Sequence, residues 1–262
     1  MALSLRPSSR YPPRVRQTVI ALESFYASPL GEAARAMVLR RLGPLWPSLQ
    51  SADVLGFGYT WPFLEPYSHQ ASRVALAMPA SQGAIAHATR RGTCAVLTEE
   101  DRLPFTDASF DFVLLAHAVE DTPDLARCLT ELHRVTRPEG RICIVAANRA
   151  GVWSGSDRSP FGSGRPFSRT QLREALRAVG FHPTFWSNAL YIPPWKPFSG
   201  PKTCQWIERA GELVLPTLSG VVLVEAVKRL YAEVEGETAP SRLVFRPGLA
   251  ARPASLRGAN RD

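Results

Sequence analysis

The stretch DVLGFGYTWPFL, residues 53–64, joins a short apolar strand to a Gly-x-Gly turn and the start of a helix. Glycine has no side chain, so backbone N–H groups in such a turn can approach a bound ligand closely. A Gly-x-Gly turn also occurs wherever a chain bends sharply, so the motif alone leaves a binding role and a purely structural role open. The segments that follow along the chain bear on the choice.

Strand-like apolar runs recur at regular intervals from this stretch onward, with helical segments between them. They cover residues 53–57, 73–77, 93–98, 110–116 and 141–147. Such alternation predicts a parallel sheet with helices on both faces. Two later runs, 183–192 and 220–228, favour an antiparallel hairpin at one edge. The predicted fold class is therefore α/β, a doubly wound, mostly parallel seven-stranded sheet with an antiparallel edge hairpin.

Helix spacing and capping residues place the main helices. Helices over 17–27 and 32–42 precede the first strand and are expected to lie over the mouth of the sheet. A helix after the fourth strand is predicted to be capped by Thr122. Another begins at Ser168, because Gln171 completes a capping box. A short helix is also expected near 204–213.

Composition indicates a soluble globular domain. The chain has 262 residues, of which 45% are hydrophobic and 21% charged, enough for one large domain with a sizeable core. No apolar run approaches the roughly 18 residues of a membrane-spanning helix, and Glu23 interrupts the first apolar run, so no secretory signal is predicted. We expect a domain over 17–235 with an N-terminal helical lid over 17–50.

The net charge of +8 is concentrated at the two ends of the chain. Residues 1–16 and 236–262 are basic, show no periodicity and are predicted to be disordered tails. The middle is nearly neutral, which argues against a basic groove for nucleic acid in the core. The expected partner is a small molecule. The sequence predicts no particular oligomeric state.

The cysteines and histidines do not predict a metal site or a disulfide framework. Four cysteines are widely spaced without a Cys-x-x-Cys pair, and reduced buried thiols are the expected state: Cys94, Cys128, Cys143 and Cys204. This favours a reducing, cytoplasmic compartment. The histidines have no metal-ligand spacing.

The segment LPFTDASFDFVLLAHAVED, residues 103–121, resembles a motif of the type 11 family of class I S-adenosylmethionine-dependent methyltransferases. The following RVTRPEGR, residues 134–141, is similar to that family's next block, and the resemblance spans roughly 50–185. It implies the Rossmann-like methyltransferase fold, S-adenosylmethionine as cofactor, and a glycine turn that wraps the amino-acid part of that cofactor. The corresponding residues here are Gly56, Phe57, Gly58 and Tyr59.

The cofactor motif departs from the family's pattern at several positions. Val54 stands where an acid is usual, and Thr60 replaces a third glycine. Met78 occupies the place of the acid that accepts hydrogen bonds from the ribose hydroxyls, and Gln82 is a neutral substitute acceptor. The resemblance implies that Glu99 lies near the adenine amino group, with Asp101 two residues further; both acids are otherwise ordinary surface residues.

Polar residues at the end of the fourth strand are candidates for chemistry, because open α/β sheets bind ligands at the carboxyl ends of their strands. His117 is placed to face cofactor and substrate and is the candidate catalytic base; its alternative role is packing of the strand end. Glu120 and Asp121 follow it. A base helps methyl transfer only when the acceptor is a hydroxyl or an acidic carbon.

Residues after the fifth strand are candidates to line a substrate cleft. Asn148, Arg149 and Trp153 follow that strand, and Trp153, Tyr191 or Trp195 would stack on a flat substrate unless they are ordinary packing residues.

Three functional hypotheses follow. The first is a methyltransferase that acts on an unidentified small-molecule acceptor. The second is a degenerate, noncatalytic relative that serves as a partner-binding or regulatory subunit, as the departures at Val54, Thr60 and Met78 suggest. The third, a dinucleotide-binding protein, also requires the acid that Met78 replaces. The first requires a hollow between the glycine turn and the Glu99 loop, and a ring of Tyr59 or Trp61 filling that hollow would contradict it.

Overall fold

The computed structural model describes residues 16–46, 48–89, 92–156, 159–194, 208, 210–213 and 216–229. Within them the helices are α1 (Val19–Tyr26), α2 (Pro29–Leu42), α3 (Trp61–Leu64), α4 (Leu125–Val135) and α5 (Arg169–Ala178). The strands of the main sheet are β1 (Asp53–Gly58), β2 (Arg73–Pro79), β3 (Ala95–Thr98), β4 (Phe110–Ala116), β5 (Thr136–Ala147), β6 (Phe181–Ala189) and β7 (Val221–Lys228). A separate two-stranded ribbon pairs Ala88–Thr89 with Gly92–Thr93.

The described strands form a seven-stranded sheet in the order β3-β2-β1-β4-β5-β7-β6. The first five run parallel, and β7 pairs antiparallel with both β5 and β6. The predicted fold class is confirmed, including the antiparallel edge. Parallel strands end at one side of the sheet, and we call the side where β1 to β5 end the carboxyl edge.

The sheet separates two apolar layers, because successive side chains of a strand point to opposite faces. Leu114 packs in the layer under α1 and α2, whereas Leu115 packs in the layer under α4 and α5. In this second layer α4 buries Cys128, Leu129, Leu132 and Val135, and α5 buries Leu172 and Leu176. These two layers therefore hold the strands in place, and the connecting loops form the surface at the carboxyl ends of the strands.

Two local predictions around α4 were wrong. Asp124, not Thr122, caps the helix, since its Oδ1 accepts a hydrogen bond from Arg127 N at 3.1 Å. The hydroxyl of Thr122 instead donates to Glu100 across the sheet edge. The fifth strand also begins earlier than predicted, because Thr136 pairs with Phe110 directly after the helix. The predicted capping box of Ser168 and Gln171 is present.

The predicted tails fall outside the described residues, apart from Arg16, as do Cys204 and Trp195. Cys128 and Cys143 are buried and Cys94 is half-buried, and these three carry free thiols. None of the helices in the described ranges has both the length and the apolar composition that crossing a membrane requires.

Candidate functional site

The glycine turn after β1 is required by the packing of the chain itself. A Cβ on Gly56 would lie 2.0 Å from Thr60 Oγ1, and one on Gly58 would lie 2.4 Å from the carbonyl oxygen of Ala116. Gly58 also has a φ of 79°, in the left-handed region that favours glycine. Phe57 is fully buried in the α4 and α5 layer. The turn is therefore explained without a ligand.

The end of β2 offers no carboxylate. Met78 is fully buried in the core. Gln82, just beyond the strand, lies at the carboxyl edge instead. Its side-chain Nε2 donates to the backbone carbonyl of His117 at 2.8 Å, and its backbone carbonyl accepts from Val19 N at 2.9 Å. Gln82 Oε1 is buried and has no hydrogen-bond partner among the described residues.

The side chain of Arg16 joins the loops that follow three different strands. Its Nη1 donates to Ser81 Oγ after β2 at 2.7 Å and forms an ion pair with Glu100 after β3. Its Nη2 lies 3.4 Å from the carbonyl of Ala118 after β4. We call the space bounded by these loops and the glycine turn the crevice. In this arrangement Arg16 crosses it.

Helix α1 covers the crevice with an aromatic side chain. The hydroxyl of Tyr26 lies 2.7 Å from His117 Nε2, and its ring centroid lies 6.0 Å from that of Tyr59 and 5.6 Å from that of Phe63. Tyr59 is only 3% exposed. The Tyr59 ring, which the catalytic hypothesis requires to leave the hollow open, is thus buried against Tyr26 of α1.

His117 is a poorly suited base in this setting. Burial lowers the pKa of its imidazole to about 3, so the ring is neutral near pH 7. Its φ of 53° lies in a region that few residues other than glycine adopt. This conformation lets its carbonyl meet Gln82 while its ring meets Tyr26.

Glu120 is a buried carboxyl group three residues further along. One oxygen, Oε1, accepts from Ala147 N at 2.7 Å, whereas Oε2 is buried without a partner in the described parts of the chain. Burial raises the pKa of this carboxyl to about 7, against the opposing hydrogen bond from Ala147. Glu120 can therefore hold or release a proton near neutral pH.

The acidic loop after β3 turns its middle residue inward. Glu99 is exposed, and Asp101 is exposed and lies 3.7 Å from Arg127. Glu100, between them, bonds Arg16 and Thr122, and burial raises the pKa of its carboxyl. The structure thus places neither Glu99 nor Asp101 in the crevice, and it places Glu100 there.

The predicted substrate residues do not converge on one cleft. Trp153 is fully buried, and its Nε1 donates to the carbonyl of Ile192 at 2.6 Å. Tyr191 is half-buried beside Gly211. Asn148 is buried and donates to the carbonyl of Ser219, but it also lines a cavity beside β5 together with Arg149.

Unpaired polar atoms mark the crevice as a place for a polar ligand. Gln82 Oε1 and Glu120 Oε2 are buried there and lack a partner among the described residues. Leaving such an atom unpaired costs about 1–3 kcal/mol. A nucleoside with hydroxyl and amino groups would satisfy them, so the residue chemistry fits the implied cofactor. Arg16 and Tyr26 close the crevice through their contacts with these loops, so we expect a bound nucleoside to displace residues 16–26.

Sequence reasoning missed Arg16, Tyr26 and Glu100. Arg16 belongs to the predicted basic tail, where the four arginines follow no periodic pattern that would single one out. Tyr26 lies in the predicted helix over 17–27, and its local sequence does not show that it faces the sheet edge. For Glu100 the available signal was the acidic triplet 99–101, which does not say which side chain points inward. No group of three or more metal-binding side chains occurs among the described residues.

One family model and several known enzymes are similar in sequence to part of this chain. Residues 54–144 match the family model described as a methyltransferase domain, Methyltransf_11. Demethylmenaquinone methyltransferase of Mycobacterium marinum is 38% identical over 64 residues, which cover 24% of this chain and 28% of that protein. The mitochondrial 2-methoxy-6-polyprenyl-1,4-benzoquinol methylase of Homo sapiens is 36% identical over 64 residues, 24% of this chain and 20% of that protein. The chain thus spans about a quarter of the length of these curated relatives.

Solved structures resemble the chain over most of its length. A methyltransferase of Thermotoga maritima, described as a possible histamine N-methyltransferase, gives a TM-score of 0.55 at 18% identity, covering 80% of this chain and 96% of that one. A putative methyltransferase of Haloferax volcanii, solved with its activator, gives a TM-score of 0.56 at 15% identity, covering 83% and 99%. At these identities the likeness establishes the fold.

Proposed function

We propose that this chain, which has the class I methyltransferase fold and matches the methyltransferase domain family over 54–144, binds S-adenosylmethionine and methylates a small molecule. The observation that carries the proposal is that Gln82 Oε1 and Glu120 Oε2 are buried without partners among the described residues, at the carboxyl ends of the strands where open α/β sheets bind ligands.

Gln82 and Glu100 are the residues proposed to hold the nucleoside. Gln82 Oε1 is the proposed acceptor for the ribose hydroxyls, because Met78 occupies the position where the family has an acid. Glu100 is proposed for the adenine side in place of Glu99, because its carboxylate faces the crevice. When bound, the cofactor supplies an activated methyl group, and the protein's main task is then alignment.

Glu120 replaces His117 as the proposed proton acceptor. His117 is tied to Tyr26, and its low pKa leaves it little basicity. Glu120 has one free oxygen and a pKa near the working range of a general base. His117 is then a positioning residue for Gln82 and Tyr26.

The methyl acceptor is proposed only as a small organic molecule. The quinone-ring substrates named for the similar enzymes are not carried over, because the match covers a short segment of each enzyme.

Binding of S-adenosylhomocysteine, measured by calorimetry, tests the proposal in the full chain. Gln82→Leu is expected to weaken binding about tenfold, the loss of roughly one hydrogen bond to a buried acceptor. Gln50→Leu, an exposed glutamine far from the carboxyl edge, is the control and should bind as the native chain does. Equal affinity in Gln82→Leu would remove that residue's role, whereas no binding by the native chain at millimolar ligand contradicts the function itself.

A noncatalytic, partner-binding protein is the second candidate. It is favoured by one observation: the crevice is closed by the chain's own Arg16 and Tyr26, and the end of β2 is apolar at Met78. It predicts no cofactor binding even when the closing contacts are removed.

A further inference from the structure

A second cavity, of about 420 Å³, lies beside the carboxyl end of β5, outside the crevice. It is bounded by the segment after β5, the start of α5, the end of β6 and the start of β7: Asn148, Arg149, Ala150, Ser168, Arg169, Asn188, Thr217 and Val222. Its volume falls in the range of small-molecule sites.

Backbone hydrogen bonds join the two segments that carry the arginines of this cavity, Arg149 and Arg169, which together we call its rim. Phe167 N donates to the carbonyl of Ala147 at 2.9 Å, and Arg149 N donates to the carbonyl of Phe167 at 3.0 Å. These bonds lock the segment after β5 against the chain that leads into α5. Arg149 and Arg169 therefore line the same cavity although they lie twenty residues apart.

Two other polar side chains of the cavity are already engaged. Asn148 Nδ2 donates to the carbonyls of Thr217 and Ser219 at 3.0 and 2.9 Å. Ser168 Oγ accepts from Gln171 N in the capping box. The guanidinium groups are thus the charged donors left to meet a ligand.

The positive charge of this rim is not neutralised by the described part of the chain. No carboxylate lines the cavity, and neither Arg149 nor Arg169 forms an ion pair with a described acid. Arg173 adds a further charge, since Arg169 and Arg173 lie 5.9 and 5.7 Å from the centroid of the same ring, Trp186. Like charges four residues apart on a helix are destabilising, by roughly 0.2–0.5 kcal/mol.

We propose that this cavity binds the phosphate or carboxylate group of a small organic molecule between Arg149 and Arg169. A guanidinium presents paired N–H donors that match the two oxygens of such a group. Val222 and Ala150 contribute apolar surface on which the organic part of the ligand would lie. The inference does not depend on methyl transfer, because none of these residues lies in the crevice.

Calorimetry of the full chain with phenyl phosphate tests the proposal, with no nucleoside present. The native chain is expected to bind phenyl phosphate more tightly than inorganic phosphate and not to bind neutral phenol. Arg149→Gln and Arg169→Gln should each weaken binding about tenfold, and the affinity should fall as salt is added. Arg177→Gln, an exposed arginine of the same helix, is the matched control and should leave affinity unchanged.

Three outcomes would overturn the proposal. They are no binding of phenyl phosphate at millimolar concentration, equal losses in Arg177→Gln and Arg169→Gln, or equal affinity for phenyl phosphate and inorganic phosphate, which would leave no role for an organic body. Circular dichroism of each variant verifies that these exposed substitutions leave the fold intact. Binding here with no binding of S-adenosylhomocysteine would support this inference while contradicting the proposed function.

Discussion

At the scale of single residues, burial decides the protonation of the two candidate proton acceptors. His117 and Glu120 lie three positions apart at the end of β4, and both are almost fully shielded from water. Burial disfavours the charged form of each, so it lowers the pKa of the imidazole and raises that of the carboxyl. The same environment therefore removes basicity from His117 and brings Glu120 into the neutral range.

Glu120 is expected to make the stability of the protein depend on pH. Its folded-state pKa of about 7 lies above the ordinary value of 4.5, so the folded chain holds the proton more tightly. The free energy of unfolding should fall as pH rises between these values, by up to about 3 kcal/mol. Glu120→Gln should flatten this dependence in urea unfolding measured at several pH values.

Glu174→Gln is the control for that experiment, because Glu174 is exposed on α5. It should keep the native slope. A native slope retained in Glu120→Gln would show that another group is responsible and would contradict the assignment.

At the scale of elements, α1 is held to the sheet mainly at its two ends. Val19 N bonds the carbonyl of Gln82 near its start, and the hydroxyl of Tyr26 meets His117 at its end. An eight-residue helix is too short to be stable alone in water, so these contacts and the burial of Leu22 hold it in place. Helix α1 is therefore the element best suited to open the crevice.

Tyr26→Phe is expected to loosen α1 without removing its apolar packing. The change deletes the bond to His117 Nε2 and leaves that nitrogen buried and unpaired, which should lower the free energy of unfolding by about 1–2 kcal/mol. Amide exchange over residues 19–26 should accelerate. Ile20→Ala, at a side chain that is 68% exposed, should change stability little. Native-like exchange in Tyr26→Phe would count against this account of α1.

At the scale of the whole molecule, closure of the crevice depends on contacts between distant parts of the chain. Arg16 reaches Ser81, Glu100 and Ala118, which are 65, 84 and 102 residues away. A ligand that binds only the open arrangement loses affinity in proportion to the population of the closed one. The closed state should therefore weaken nucleoside binding.

Arg16→Ala should tighten the binding of S-adenosylhomocysteine several-fold, because the variant lacks the ion pair that stabilises the closed state. Arg102→Ala, at an exposed arginine of the neighbouring loop, is the control and should not change affinity. Weaker binding in Arg16→Ala would mean that Arg16 contacts the ligand and does not cover its site. Absence of binding in both variants and in the native chain would favour the noncatalytic candidate.

Features set by local sequence were predictable. The bounds of β4, Phe110–Ala116, and the capping box at Ser168 follow from patterns within a few residues, and both are present as predicted. The cap of α4 was not, because Thr122 is drawn to Glu100 and Asp124 takes its place. Trp153 was expected at a cleft and is buried, since the carbonyl of Ile192 accepts from its indole.

The sequence alone determined the order of strands and helices, and with it the sheet and its carboxyl edge, because hydrophobic period and helix capping are local properties of a chain. Only the tertiary structure decided that Glu100 faces the crevice, that Arg16 and Tyr26 close it, and that Arg149 and Arg169 share a cavity. These arrangements depend on side-chain packing between segments far apart in sequence, where burial and unpaired polar atoms set the chemistry of each group.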